Sequence, residues 1–306
     1  MNRKINTDLL AWSKTKNRGV LLLRGARQVG KTYSMRILGK QFKNYCEVNF
    51  EEEPAIKTFF QQGSLNPSPV IEKLSAYYNT PIVSGETLLF FDEIQACPEA
   101  LRALRFFHEN LPDLHVAAAG SLLEFALEEI PSFGVGRIDS RFMYPLSFPE
   151  FLEATEGEPL ARMVAAAGFA RPLDDALHAR VLDNLRTYML VGGMPQVVER
   201  YRTERDLRAC QKLLETLIVS LADDFAKYGR RVSPQKLGEC LNSAAYQAGG
   251  KFVYAHISQD ASASGYKEAL ELLVRAGLAH KVYHSAARGI PLGSQIDTGK
   301  FKVYVF

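Results

Sequence analysis

Three short, unbroken apolar runs mark the first half of the chain: Val20–Leu23, Leu88–Phe91 and Val116–Ala119. Each has the length of a strand covered on both faces, the signature of a central position in a parallel sheet. Asn44–Phe50 reads as a further strand, broken by Glu51-Glu-Glu-Pro54, and Arg141–Tyr144 as a fifth. Between them the period changes. Met35, Leu38 and Phe42 recur at helical spacing within Lys31–Phe42. Leu101, Leu104 and Phe107 line one face of Pro98–Asn110. Residues 54–84 carry helical patches, with Pro67 and Pro69 as loop punctuation. Strands alternating with helices predict an open, mostly parallel α/β sheet of five core strands.

The pattern changes after Pro145. Residues 149–250 read as almost wholly helical, interrupted at Gly192-Gly-Met-Pro195. Three regions are expected: 1–148 with the sheet, a helical region 149–232, and a segment 233–306. In the last, Tyr254–Ala261 and Ser264–Ala276 have the layout of a helix-turn-helix, with Leu278–Ser285 as a wing. Its second helix offers only Lys267 and Arg275 against Glu268 and Glu271, too neutral for a helix that docks on phosphates. Interdomain packing suits it better. Lys227, Arg230 and Arg231, near Asp223-Asp224, read as a solvated basic face. The chain stops at Lys300–Phe306 inside an alternating strand, as a truncated chain would.

Composition narrows the classes. The 306 residues are 47% hydrophobic and 23% charged, which excludes disorder and collagen-like structure. A net charge of +3 does not announce a nucleic-acid binder. The N-terminus has no unbroken apolar core, so it is no signal peptide, and no run is long enough to span a bilayer. Cys46, Cys97, Cys210 and Cys240 are widely spaced and read as reduced core thiols of a cytoplasmic protein.

Chemistry enters at Gly25-Ala-Arg-Gln-Val-Gly-Lys-Thr32, which matches G-x-x-x-x-G-K-[ST] between an apolar strand and a helix. Glycines at 25 and 30 let successive backbone N–H groups turn into the loop. The start of the helix adds partial positive charge for an anion. Residues Gly25, Ala26, Arg27, Gln28, Val29, Gly30, Lys31, Thr32 and Tyr33 therefore form the candidate phosphate cradle. Lys31 would neutralise the β- and γ-phosphates and Thr32 would ligate Mg²⁺.

Asp92-Glu93 closes the second apolar run, expected on a strand next to that of the phosphate loop. Asp92 is placed to hold hydrated Mg²⁺, and Glu93 to orient and activate the attacking water. The stretch from Lys31 to Asp92 leaves room for one further strand, which suggests an AAA/RecA-type sheet rather than a nucleotide kinase. Ser121 fits two roles equally: a γ-phosphate sensor at a strand end, or a helix N-cap with Glu124 three residues on. Arg137, with Arg141 as its competitor, is the candidate for an arginine that stabilises transition-state charge, in its own site or across a subunit interface. A surface salt bridge is the equal alternative.

These motifs, with Phe-Asp-Glu-Ile-Gln (91–95), Ala-Gly-Ser (119–121), Gly-Arg (136–137), Tyr-Pro-Leu-Ser-Phe-Pro-Glu-Phe (144–151) and Gly-Gly-Met-Pro (192–195), resemble in order a family of prokaryotic AAA-type ATPases with a C-terminal domain of unknown function. The resemblance implies an ATPase module with ATP and Mg²⁺, a lid-like helical segment, a winged-helix region and a restriction-nuclease-like part, the last missing here. It implies that ATP turnover drives or gates a C-terminal effector region. The effector is left open between nucleic acid and protein, as is self-assembly into a homo-oligomer. Two alternatives stand beside it: a nucleotide-sensing switch with little turnover, and a winged-helix DNA-binding regulator.

Overall fold

The computed structural model describes residues 1–61, 66–121, 123, 127, 136–228, 232–258 and 263–305. They divide into two compact units, 1–211 and 212–306. The sheet and the helices up to residue 211 share the first unit.

In the first unit α1 (Lys4–Lys14) precedes β1 (Val20–Arg24), α2 (Lys31–Gly39) and β2 (Asn44–Asn49). A 3₁₀ turn (Pro54–Phe60) leads to α3 (Pro67–Tyr78), β3 (Thr87–Asp92), α4 (Pro98–Asn110), β4 (His115–Ala119) and β5 (Ile138–Phe142). The five strands are parallel, in the order β2-β3-β4-β1-β5. Burial follows that order. β3 and β4 are buried throughout and β1 to its last residue, whereas the edge strands β2 and β5 are only partly covered.

Alternate residues feed two cores. Leu22, Val48, Leu89, Phe91 and Ala118 join Leu74, Leu101, Leu104 and Phe107 of α3 and α4 in one cluster. Leu21, Leu23, Phe90 and Ala117 are equally buried, as are Leu9, Trp12, Met35 and Leu38 of α1 and α2. Each fully buried Leu or Phe contributes about 1.5–3 kcal/mol of transfer free energy, so β1, β3 and β4 anchor the loops at their ends.

Two strand expectations change. β5 begins at Ile138, not Arg141, because its register comes from the ladder with β1, Val20 opposite Ile138 through Arg24 opposite Phe142. Its polar Asp139, Ser140 and Arg141 hide that strand from a search for apolar runs. Second, β3 is not adjacent to the phosphate-loop strand: β4 lies between β1 and β3. The small Ala117–Ala119 side chains allow close cover on both faces of β4.

Beyond the sheet come α5 (Phe148–Glu156), α6 (Glu158–Ala166), α7 (Asp175–Val191), α8 (Pro195–Glu204) and α9 (Leu207–Tyr228), within which the unit boundary falls. α5 opens with a capping box, Ser147 and Glu150 each satisfying the other's backbone N–H. The second unit holds α10 (Pro234–Tyr246), α11 (Ala263–Arg275) and an antiparallel pair, β6 (Ala279–Ser285) with β7 (Ile296–Val305). The first helix expected of the helix-turn-helix is reduced to a single 3₁₀ turn at Tyr254–His256, and residues 259–261 of it lie outside the described residues. Arg230 and Arg231 lie outside them too. All four cysteines are free and buried. No helix among the described residues is long and apolar enough to cross a membrane.

Candidate functional site

The loop after β1 turns on two glycines. Gly25 has φ 142°, and a Cβ there would lie 2.1 Å from the Met143 carbonyl oxygen, so only glycine fits. Gly30, at φ 98°, stands immediately before α2. Gln28 also takes a left-handed conformation, φ 62°. The loop therefore wraps toward the N-terminal turn of α2, which carries Lys31, Thr32 and Tyr33.

Lys31 is buried, and its Nζ donates to the carbonyls of Gly25 at 2.9 Å and Ala26 at 2.8 Å. Burial pulls its ammonium down to about 8, against the opposing pull of Glu93 and Asp92 and with a further push from Arg27. The Thr32 hydroxyl donates to Asp92 Oδ2 at 2.7 Å. Burial raises the Asp92 carboxyl above its usual value; the Thr32 hydrogen bond opposes this and the charge of Glu93 adds to it. The loop after β1 and the end of β3 thus meet across β4.

Glu93 stands one residue past β3 at φ 47°, its backbone N–H donating to Asp92 Oδ1 at 3.1 Å. Its Oε2 accepts from Gln95 Nε2 at 2.6 Å and lies 3.5 Å from Ser121 Oγ. The intervening strand β4 is what brings Ser121 to the carboxylate. Glu124, proposed to complete an N-cap with Ser121, lies outside the described residues.

Arg137 is not brought to this cluster. Its carbonyl accepts from Val20 N–H at the opposite end of β1, and its Nε pairs with Glu109 Oε1 at 2.7 Å. Within one chain it is placed as a salt-bridge residue on the far rim of the sheet. Arg141, opposite Leu23, lies nearer the loop end, with Nη1 donating to the Ser140 carbonyl at 3.0 Å.

Three features escaped the sequence. Arg3 is buried and reaches Glu150 Oε1 at 3.0 Å, the Val29 carbonyl at 2.9 Å and the Tyr144 carbonyl at 2.6 Å. It ties the phosphate loop to the segment leading into α5. Gly-Gly-Met-Pro meets Tyr-Pro-Leu-Ser-Phe: Leu146 N–H donates to the Gly193 carbonyl at 2.6 Å, and Tyr188 Oη to the Leu146 carbonyl at 2.7 Å. A Cβ on Gly193 would lie 2.2 Å from the Leu146 oxygen. Pro195 then reaches the phosphate loop, its Cγ 3.8 Å from where a Cβ on Gly30 would stand. A cavity of about 440 Å³ opens there, lined by Met1, Arg3, Gly30, Tyr33, Met143, Pro195, Gln196, Glu199 and Arg202. The recurrence of both motifs in one chain was the available signal; Arg3 had none.

Parallel β2-β3-β4-β1-β5 order, a phosphate-type loop after β1 and a carboxylate pair after β3 define an AAA-type P-loop NTPase fold with a helical C-terminal region. Residues 17–152 match the family described as an AAA domain, and residues 182–306 match a domain of unknown function, DUF8612. Among solved structures, the chain resembles the Walker-type ATPase PABY2304 of Pyrococcus abyssi. The identity is 17% and the TM-score 0.59, over 99% of this chain and 93% of that one. The Aeropyrum pernix ORC1 protein in complex with DNA matches at 14% identity and TM-score 0.35, over 99% and 87%. Drosophila ORC bound to DNA matches at 11% and 0.38, over 99% and 91%. The comparison with curated proteins found no match.

Proposed function

We propose that this chain binds ATP with Mg²⁺ and hydrolyses it, and that the nucleotide state is passed to its C-terminal half. The observation that carries this reading is the convergence of Lys31, the Thr32–Asp92 pair and Glu93 at the ends of β1 and β3, with Thr32 Oγ1 and Asp92 Oδ2 2.7 Å apart. Two adjacent hard oxygen donors suit Mg²⁺, which takes few protein ligands and keeps its waters. Thr32 and Asp92 would hold the ion, whose charge would stabilise that developing on the β- and γ-oxygens.

The chain's own groups supply the rest. The loop N–H groups and Lys31 bind the phosphates. Glu93 orients the attacking water and takes its proton as the oxygen bonds to the γ-phosphorus and the bond to the β-phosphate oxygen breaks. Ser121, 3.5 Å from Glu93 Oε2, would sense the same group. The cavity beside Gly30 and Tyr33 takes the nucleoside. Because Arg3 links Val29 to Glu150 and Gly193 links α7 and α8 to Leu146, a shift of the loop is felt by the helices that follow it. A DNA-binding reading gains little: α11 carries Lys267 and Arg275 against Glu268 and Glu271, a balanced charge rather than a basic face.

The test is turnover with ATP and Mg²⁺. Lys31→Ala should abolish nucleotide binding, and Glu93→Gln should retain it while losing about 10²-fold or more in rate. Turnover absent from the parent protein, or surviving in Lys31→Ala, refutes the proposal.

A further inference from the structure

We propose that Gln95 is a positioning residue for Glu93, and that Gly120 is kept free of a side chain to seat it; this rests on the ATPase reading above. The contact is short: Gln95 Nε2 donates to Glu93 Oε2 at 2.6 Å, below the usual span of N–H···O bonds. Gln95 projects from a 3₁₀ turn, Ile94–Ala96, whose flanks Ile94 and Cys97 are fully buried in the core. Ala96 N–H donates to the Glu93 carbonyl and Cys97 N–H to that of Ile94, both at 2.9 Å. The amide is therefore presented from a backbone that cannot easily retreat.

The other end of the amide identifies its task. Gln95 Oε1 is buried with no hydrogen-bond partner among the described residues. An amide serving only to fill space would not leave its oxygen desolvated and unpaired. It lies against Gly120, where a Cβ would stand 2.0 Å from that oxygen. Gly120 has an ordinary backbone conformation, so the turn does not demand glycine. What chiefly requires it is the Gln95 head group, with Leu123 Cγ, 3.0 Å from the same Cβ position, the lesser contact. Glu93 itself is held at φ 47°, a conformation that persists when neighbours over-determine it. Gln95 and Ser121 both donate to the same carboxylate oxygen, Oε2, at 2.6 and 3.5 Å, and hold it in place.

Orientation of a water-activating group acts on kcat more than on nucleotide affinity. Gln95→Ala should therefore lower kcat by about ten- to a hundredfold, with KM and the Kd for a fluorescent ATP analogue within about twofold. Gly120→Ala should reproduce the loss by displacing the amide. The double variant should lose far less than the sum of the two single losses, because truncation at 95 removes the closest clash with the new methyl and leaves only the milder one with Leu123. Melting temperatures of all three show whether any loss is one of folding. Additive losses, an unchanged or raised kcat in Gln95→Ala, or parallel loss of nucleotide binding overturns the assignment. Turnover that Glu93→Gln abolishes and Gln95→Ala leaves intact overturns this proposal alone. A parent protein without turnover overturns the ATPase reading and this one with it.

Discussion

Arg3 lies far in sequence from every motif of the site, yet it closes three of its contacts. Replacing it with Met keeps the apolar stem and removes the guanidinium. Glu150 is then left as a buried carboxylate, since the pair's side chains are only 6% and 8% exposed. Removing one partner of such a pair costs about 3–5 kcal/mol. Glu150 keeps donors in the Ser147 and Lys4 N–H groups and the Ser147 hydroxyl, at 2.8, 2.9 and 3.0 Å. These place the carboxylate's share at the lower end, and two carbonyls losing their donor add about 1 kcal/mol each. The expected loss is about 5 kcal/mol. Trp12, the one tryptophan of the chain, is buried in α1 and reports urea unfolding of the first unit. With a slope of about 2–3 kcal/mol/M, the midpoint should fall by about 2 M.

The pH dependence has a definite sign. Burial alone would push the Glu150 carboxyl up, but the Ser147 and Lys4 N–H groups and the Arg3 charge outweigh it and hold the group below its usual value. Its stabilisation is thus complete above the unfolded value of about 4.3 and fades as pH falls toward the depressed folded value. The gap between parent and Arg3→Met should therefore be full at neutral pH and narrow below about pH 4.5. Arg3→Met with Glu150→Gln should recover about half of the neutral-pH loss. A neutral-pH gap under about 1 kcal/mol, or one that does not change on acidification, refutes the reasoning.

Three further outcomes follow from the same geometry. Gly193→Ala drives a methyl into the Leu146 carbonyl at 2.2 Å and should destabilise the first unit by about 2 kcal/mol or more, whereas Gly238→Ala, inside α10 with open space around it, should stabilise the second by about 0.5–1 kcal/mol in denaturant titrations. Arg137→Ala should leave kcat within about twofold and stability within about 1 kcal/mol, because its partner Glu109 is at the far rim; a tenfold or greater fall in kcat would show that it acts across subunits. Lys31, pulled down to about 8, is partly neutral above that pH, so nucleotide binding should take up a proton there. Calorimetry in buffers of differing ionisation enthalpy, with Lys31→Arg as control, measures it.

Local order was legible along the chain. A strand buried on both faces shows an unbroken apolar run along its middle, so β1, β3 and β4 stood out, and the octet at 25–32 carried its chemistry in its residue types and spacing. Asp92 and Glu93 were legible because they end such a strand. Edge strand β5 was misplaced by three residues, since it is only partly buried, carries Asp139, Ser140 and Arg141, and takes its register from β1. The tertiary structure alone decided that β4 lies between β1 and β3, which sets Ser121 beside Glu93, and that Arg137 falls at the opposite rim. It alone joined Gly193 to Leu146, Arg3 to Val29 and Glu150, and Gln95 to Glu93 over Gly120. The physical reason is range. Periodicity and turn chemistry are written over a few neighbouring residues, whereas strand order and buried polar contacts depend on distant segments packing at hydrogen-bond distance, which leaves no local pattern.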